Sequence, residues 1–346
     1  MTALAQSTNN TGGLLDIPVQ GFVDGLQCSH WDRELLQQWR DGNLACVHVT
    51  VAIWEGTRDA LRQVSQWNRW FREFSDLVAP ARSFQDIVDV AASSRTAVIL
   101  GFQNMSPFED DLGMVEIFHD LGVRIAQMTY NIQNHVGASC YDPTDGGLTR
   151  FGRYVIREMN RVGMIVDLSH CGDRTNLDAI EYSERPVIAS HANPAGKWPH
   201  PRNMSDDILR ALADKGGLLG CAPYPHLTGG VEVTGRQWAE GVAYAVDLMG
   251  IDHVGIGSDS CHKMDYEDLM HIRMGYWSHE VQYGAGTPDQ ADWLPWPAYF
   301  RDPSYFPNLE SSLAEVGFSP EERQKIMGHN LLRLYADGFQ PGRTSA

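Results

Sequence analysis

The chain of 346 residues is long enough to bury a large core, and its 43% hydrophobic and 21% charged residues are ordinary for a globular protein. Its 44 acidic residues outnumber 27 basic ones, which gives a formal charge of −17. A surface this acidic repels phosphate backbones and anionic lipids, so the composition disfavours nucleic acids and membranes as partners.

The cysteines and the N-terminal residues predict a cytoplasmic protein. None of the six cysteines forms a CxxC pair, and several lie within apolar runs, which favours free thiols in a reducing compartment. Residues 1–13 are polar and lack the basic start and apolar core of a signal peptide, and we expect residues 1–15 to be flexible. No apolar stretch of the sequence is long enough to span a bilayer.

Eight short apolar runs recur along the chain, with amphipathic segments between them. Most of these runs are continuous rather than alternating, as expected for strands that are buried on both faces of a parallel sheet. In chain order the predicted strands are Gly21–Leu26, Leu44–Ile53, Thr96–Phe102, Val123–Thr129, Gly163–Ser169, Pro186–Ser190, Gly217–Ala222 and His253–Ser258.

Helical patterns fill the intervals between these strands. A long pattern covers Thr57–Phe74, and a short one follows it before the third strand. Between the fourth and fifth strands apolar residues recur at helical spacing, and Thr149 and Gly163 are typical of the two ends of a helix. Further helices are predicted within residues 205–217 and over Trp238–Met249.

Strands that alternate with helices in this way predict a single domain with the α/β fold of a (β/α)8, TIM-like barrel. An open, doubly wound sheet is the alternative, but it usually has fewer strands and a glycine-rich first turn, and the sequence has no GxGxxG motif. Residues 260–308, rich in Trp, Tyr, Pro and Asp, are predicted to form a long aromatic loop or lid insertion. Burial of the part at 290–306 against a second subunit would give a homodimer.

Polar residues stand where three of the predicted strands end. His170 follows the fifth strand, His191 the sixth and Asp259 the eighth. The active site of a parallel barrel lies at the carboxyl ends of its strands, and imidazole and carboxylate ligands suit a divalent metal such as zinc. A single strand-end histidine is more often a satisfied loop residue, but the convergence of these three predicts a metal or catalytic site.

Arg202 lies on the loop that follows the sixth strand. Its planar guanidinium group could hold a substrate carboxylate through two hydrogen bonds. A structural ion pair beside the next helix is the alternative role.

Five segments of the sequence together carry a resemblance to a known family. They are Gly146–Gly152, Glu158–His170, Ala189–His191, His200–Asn203 and Gly255–Asp259. In these segments the chain resembles the membrane dipeptidase (renal dipeptidase) family of the amidohydrolase superfamily. Weaker similarity runs from about residue 20 to about residue 335.

The resemblance implies a distorted barrel with a binuclear zinc centre that hydrolyses dipeptides. It places two metal-binding histidines at His170 and His191. It places at Asp259 an aspartate that contacts the metal centre and accepts a proton, and at Arg202 the arginine that binds the substrate carboxylate.

The chain departs from the family pattern at four polar positions. The His-x-Asp pair of the first strand, which binds the first zinc in the family, is replaced by Leu26 and Cys28. The bridging glutamate of the third strand corresponds to Gln103, and the histidine of the fourth strand that helps to polarise the scissile carbonyl corresponds to Tyr130. A neutral amide cannot hold two cations together as a carboxylate does, so the first metal site is predicted to be lost.

The predicted protein is therefore a dipeptidase-like metal-dependent hydrolase that acts on a C–N (amide) bond of a small, carboxylate-bearing substrate. One zinc or another divalent ion would be held by His170, His191 and Asp259, with His262 or Cys28 open as further ligands. Asp259 and Tyr130 are the predicted catalytic residues; those predicted to bind substrate are Arg202, Gln103 and Asn104. The alternatives are an enzyme with altered or metal-free chemistry on the same scaffold, and a binding protein without catalysis.

Overall fold

A computed structural model describes residues 17–275 and 295–342 of the chain. Its centre is a nearly closed barrel of eight parallel strands, each paired with the next in chain order. These strands are β1 (Phe22–Gln27), β2 (Leu44–Ala52), β3 (Thr96–Phe102), β4 (Val123–Gln127), β5 (Ile165–Asp167), β6 (Ile188–Ala192), β7 (Leu218–Cys221) and β8 (Val254–Ile256).

Helices follow the strands and cover the outside of the barrel. Their apolar faces pack on the outward-facing strand residues and form the larger of the buried clusters. The helices are α1 (Arg33–Asp41), α2 (Thr57–Glu73), α3 (Phe84–Ala92), α4 (Gly113–Asp120), α5 (Arg150–Val162), α6 (Asp173–Tyr182), α7 (Asp206–Asp214), α8 (Gly235–Met249), α9 (Tyr266–Met274), α10 (Phe306–Glu315), α11 (Pro320–Gln324) and α12 (Asn330–Gly338).

The predicted (β/α)8 barrel is confirmed, and all eight predicted strands lie in its wall. Helix α5 has the predicted ends, because the Thr149 side chain accepts a hydrogen bond from the Gly152 amide and Gly163 adopts a left-handed conformation with φ of 87°. One strand was missed: Val78–Pro80 pairs with β3 outside the barrel path. Three residues are too few to show a periodicity.

Two other predicted segments lie wholly or partly outside the described residues. The aromatic segment 260–308 contains helix α9, and its last residues begin helix α10, whereas residues 276–294 lie outside the described part of the chain. The N-terminal residues 1–15 also lie outside it. In the part of the chain that the structure describes, every helix is too short or too polar to cross a membrane.

The barrel closes between β8 and β1 through the buried carboxylate of Asp24. The regular pairing between these two strands is limited to one isolated bridge, which joins Gln27 and Ser260. The Asp24 carboxylate accepts hydrogen bonds from the Ser258 amide at 2.7 Å and from the Ser258 hydroxyl. It also accepts from the Leu26 amide at 3.3 Å and from Nε2 of Gln27 at 2.7 Å. Four donors thus hold one fully buried carboxylate at the seam.

Asp167 has the same role between β5 and β6, where regular pairing is limited to Asp167 with Ile188. Its carboxylate accepts from the amide and hydroxyl of Ser169, both at 3.0 Å. Across the strand gap it accepts from the Ser190 amide at 3.0 Å and from the Ser190 hydroxyl. Charge-assisted hydrogen bonds therefore supplement the sparse backbone pairing at these two joints of the barrel.

We predict that Asp24→Asn lowers the free energy of unfolding by about 3 kcal/mol, because an amide nitrogen would face donors that need an acceptor. Denaturant unfolding monitored by circular dichroism measures this loss. The exposed Asp76, which pairs with Arg33 on the surface, gives the matched control Asp76→Asn, for which we expect less than about 1 kcal/mol. Equal effects of the two substitutions would contradict the role of Asp24.

The loss in Asp24→Asn should also depend on pH. Burial, opposed by the hydrogen bonds from Ser258, raises the pKa of Asp24 from 3.8 to about 6. A carboxyl group with a raised folded-state pKa contributes stability at low pH that is lost as the pH rises through that pKa. The deficit of Asp24→Asn should therefore be larger at pH 5 than at pH 7.5, by about 1 kcal/mol. If the stability deficit of Asp24→Asn were smaller at pH 5 than at pH 7.5, the four hydrogen-bond donors would lower the pKa of Asp24 more than burial raises it.

Candidate active site

A pocket opens at the carboxyl ends of the strands, where an active site is expected in this fold. Polar, cationic and aromatic side chains make up most of its wall. The lining residues are Tyr130, Asn131, Tyr141, His170, His200, Arg202, Tyr224, His226, Leu227, Asp259, Cys261, Ile272 and Arg273.

The two strand-end histidines meet beside this pocket. Nε2 of His170 lies 3.1 Å from Nε2 of His191. His191 is fully buried and His170 is 8% exposed. Burial, and next the positive charge of Arg202, hold the pKa of each imidazole well below its usual range, so both rings are neutral at pH 7.

Hydrogen bonds at the far side of each ring fix which nitrogen carries the proton. The Asn131 amide group donates to the Arg273 carbonyl, so its oxygen accepts from Nδ1 of His170 at 2.7 Å. The Ser190 hydroxyl donates to Asp167, so its oxygen accepts from Nδ1 of His191 at 2.8 Å. Both Nε2 atoms are then unprotonated, and their lone pairs face each other across 3.1 Å.

A cation between the two rings would relieve the repulsion of these lone pairs. Two imidazole ligands of one tetrahedral zinc stand about 3.3 Å apart, which is close to the observed separation. Hydrogen bonds from the second ring nitrogen to an amide or hydroxyl oxygen are the usual support for metal-binding histidines. The donor set at this position therefore fits a single ion.

Each of the three predicted site residues follows a serine that a buried aspartate holds. Ser169 and Ser190, bound to Asp167, precede His170 and His191. Ser258, bound to Asp24, precedes Asp259. The hydrogen bonds that join the barrel strands thereby also set the positions of the residues at the mouth.

The backbone at the mouth is strained at three of the pocket residues. His170, Asp259 and Asn131 have φ values of 64°, 53° and 53°. Non-glycine residues adopt this left-handed conformation infrequently, and it persists only where the surroundings enforce it. It directs these side chains away from the strand direction, toward the pocket that all three line.

Asp259 lines the same pocket as His170, but the structure does not gather the predicted triad into one cluster. Within residues 17–275 and 295–342, no three histidine, cysteine, aspartate or glutamate side chains converge closely enough to hold an ion. Burial, with Asp24 nearby, raises the pKa of Asp259 to about 7, although Arg202 opposes this. Near neutral pH the carboxyl group can thus give or take a proton.

Arg202 presents a cationic group to the pocket. Its side chain is 5% exposed, and Nη2 donates to the His191 carbonyl at 3.1 Å. Nη1 is buried with no hydrogen-bond partner among the described residues. A buried N–H group of this kind is satisfied by a bound acceptor, and a planar cation favours a carboxylate. The geometry therefore supports the anion-binding role over a structural ion pair.

Tyr130 lies between His170 and a small apolar cluster at the mouth. Its ring stacks on His170 with centroids 4.1 Å apart. It packs in this cluster with Cys28, Ile53 and Cys261. This side of the mouth is thus an apolar partition, which we define by these four residues.

Gln103 and Asn104 are not among the residues that line the pocket in the described part of the chain. Nε2 of Gln103 donates to the Thr50 hydroxyl at 2.9 Å. The Asn104 oxygen accepts from the Met105 amide and from Asn134. Both side chains are occupied in holding the turn after β3, so this placement does not support their predicted contact with substrate.

Several pocket residues were missed in the sequence. Tyr224 and His226 follow β7, and Asn131 follows β4, so their strand-end positions were a usable signal. Arg273 comes from helix α9, within a segment predicted as a loop, and no sequence pattern pointed to it. Trp296 packs on Tyr224 with ring centroids 5.6 Å apart, so the described part of the aromatic segment covers one side of the mouth.

The family model "Membrane dipeptidase (Peptidase family M19)" matches residues 25–274. Among curated proteins, "Dipeptidase aclJ" of Aspergillus oryzae is 28% identical over 85% of this chain and 64% of its own length. "Uncharacterized dipeptidase C965.12" of Schizosaccharomyces pombe is 31% identical over 80% of this chain and 62% of its own. The chain thus spans less than two thirds of the length of these relatives.

Solved structures show the same fold. An amidohydrolase from Pseudomonas aeruginosa is 37% identical, with a TM-score of 0.87 over 92% of this chain and 96% of its own. A metallo peptidase from Rhodobacter sphaeroides, liganded with a phosphinate mimic of the dipeptide L-Ala-D-Ala, is 17% identical, with a TM-score of 0.76 over 92% of this chain and 99% of its own.

We predict that His170 and His191 both carry their proton on Nδ1 at pH 7, because each Nδ1 faces an acceptor. Nitrogen-edited NMR of the imidazole groups measures this tautomer directly. His48, whose Nδ1 lies 2.7 Å from the Gly25 carbonyl, is the internal control, since a carbonyl can only accept. A proton on Nε2 of either pocket histidine would contradict the assignment.

Proposed function

The chain belongs to the membrane dipeptidase family, peptidase family M19, and on that premise we propose that it is a hydrolase of amide C–N bonds that works with one metal ion rather than two. The observation that carries the proposal is the pair of Nε2 lone pairs, 3.1 Å apart, held toward each other by Asn131 and Ser190. The proposed substrate is a small molecule with a carboxylate group.

A centre of two ions does not fit the side chains present. Leu26 is fully buried, and Cys28 packs in the apolar partition with Tyr130. Gln103, at the position of the bridging carboxylate, carries no charge and donates to Thr50. A single ion fits His170 and His191, with zinc as the first choice of metal. We propose that the Asp259 side chain, which lines the same pocket as His170, moves toward that ion to complete its protein ligands.

When bound, such an ion supplies a water of lowered pKa as the nucleophile. Asp259 would accept a proton from this water and return it to the leaving nitrogen, since it lines the pocket beside His170. Tyr130, stacked on His170, would donate its hydroxyl proton in a hydrogen bond to the developing oxyanion. Arg202 would hold the substrate carboxylate through its buried Nη1.

We predict that protein purified without chelators carries about one equivalent of divalent metal, and that His170→Ala or His191→Ala lowers this content more than tenfold. Elemental analysis gives the readout independently of activity. His226→Ala, a pocket histidine outside the pair, is the matched control and should retain the metal. Metal-free protein with full activity in chelator would exclude the one-ion proposal.

A second candidate is a metal-free enzyme in which the histidine pair acts as general acid and base. The absence of a three-residue ligand cluster in the described part of the chain favours it. The same metal analysis separates the two candidates: activity that survives chelation but is lost in His170→Ala supports this one.

We predict that Arg202→Leu lowers kcat/KM about 100-fold for a dipeptide with a free carboxylate, because a charge-assisted contact is lost. For the same dipeptide with an amidated C-terminus, which makes no such contact, the substitution should lower kcat/KM by less than about threefold. Arg210→Leu, on the exposed face of α7, is the control for loss of charge. An equal loss on both substrates would show that Arg202 acts on the fold instead.

A further inference from the structure

Two cysteines face each other across the seam at which the barrel closes. Cys28 follows β1, and Cys261 lies five residues beyond the end of β8. The backbone pairing of the two strands continues there: Gln27 pairs with Ser260, and the Cys28 amide donates to the Ser260 carbonyl at 3.0 Å. Cys28 is the residue after Gln27, and Cys261 is the residue after Ser260. The register of the two strands therefore places the two thiols side by side.

The side chains confirm this juxtaposition. Cys28 and Cys261 pack in the same apolar partition. Neighbouring strands stand about 4.8 Å apart, and a disulfide requires Cα atoms about 4.4 to 6.8 Å apart. The strand register therefore places the two cysteines at a backbone separation that suits a disulfide. Both cysteines are free thiols in this structure.

Each sulfur borders a space that small molecules can enter. Cys261 is 7% exposed and lines the active-site pocket. Cys28 is 8% exposed and lines a neighbouring pocket, whose wall includes Trp31, Trp67 and Trp70. The partition between these two spaces thus contains an oxidisable pair that a small oxidant can reach from either side.

We propose that Cys28 and Cys261 are a modification site, which hydrogen peroxide or a similar small peroxide converts to a disulfide across the barrel seam. The Cys261 thiol gives its electron pair to one peroxide oxygen, which yields a sulfenic acid and one water. The Cys28 sulfur then attacks that sulfur and displaces a second water. The two thiols lose two electrons and two hydrogens in total, and the peroxide is reduced to water.

The bond would join residues 28 and 261, which are far apart in sequence, at the joint that Asp24 otherwise holds. A cross-link across so long a loop restricts the unfolded chain strongly, so the oxidised protein should be more stable than the reduced one. Apolar surroundings favour the protonated thiol, which is a weaker nucleophile than the thiolate, so a reactive peroxide is required.

The test is peroxide treatment of the folded, full-length wild-type protein, followed by alkylation of remaining thiols and non-reducing peptide mapping. We expect a linked Cys28–Cys261 peptide, a mass lower by about 2 Da, and a Tm raised by about 5 °C that dithiothreitol reverses. Cys28→Ala and Cys261→Ala should abolish the linked peptide and the rise in Tm. Cys140→Ala, at a partly exposed cysteine outside the pair, is the matched control and should keep both.

The proposal is overturned if both thiols remain alkylatable at peroxide levels that oxidise the methionines, or if the bond joins other cysteines. It is also overturned if the linked peptide forms with no rise in Tm, because the bond would then not lie across the native seam. Peptide mapping of the wild-type protein alone decides the assignment if either alanine variant fails to fold.

Discussion

The fold and the candidate site depend together on two buried carboxylates, Asp24 and Asp167. The pairing of β5 with β6 and of β8 with β1 is too sparse to hold these strands by ladder hydrogen bonds alone. Each carboxylate spans one of these joints through amide and hydroxyl donors of a serine on the next strand. A buried anion without its donors would be costly, so these contacts leave the strands little freedom to shift.

The same contacts explain why the mouth keeps its geometry. The residue after each bound serine is one of the three strand-end residues, and two of these, His170 and Asp259, line the pocket and have strained backbones. Strain of this kind persists only where neighbouring hydrogen bonds enforce it. The hydrogen bonds that join the barrel strands thus also position the polar residues at the mouth. A substitution of a buried aspartate would displace its bound serine and, with it, the next residue along the chain.

The two halves of the mouth have different chemistry. On one side, His170 and His191 direct two lone pairs toward each other, and Arg202 offers an unsatisfied buried N–H group. On the other side, Tyr130 and Cys28 belong to an apolar partition. The proposed single-ion centre rests on this difference between the two halves.

The sequence alone determined the barrel, because buried strands and capped helices can be recognised from local patterns. Examples are the apolar run Thr96–Phe102 and the N-cap Thr149. The sequence also placed His170, His191 and Asp259 at strand ends. The tertiary structure decided three features that no local pattern contains. The two histidines converge, whereas Asp259 does not form a three-residue ligand cluster with them. Gln103 and Asn104 do not line the pocket, and Arg273 enters it from α9. Those outcomes depend on hydrogen bonds between residues distant in the chain, and the register of Cys28 with Cys261 depends on how the barrel closes.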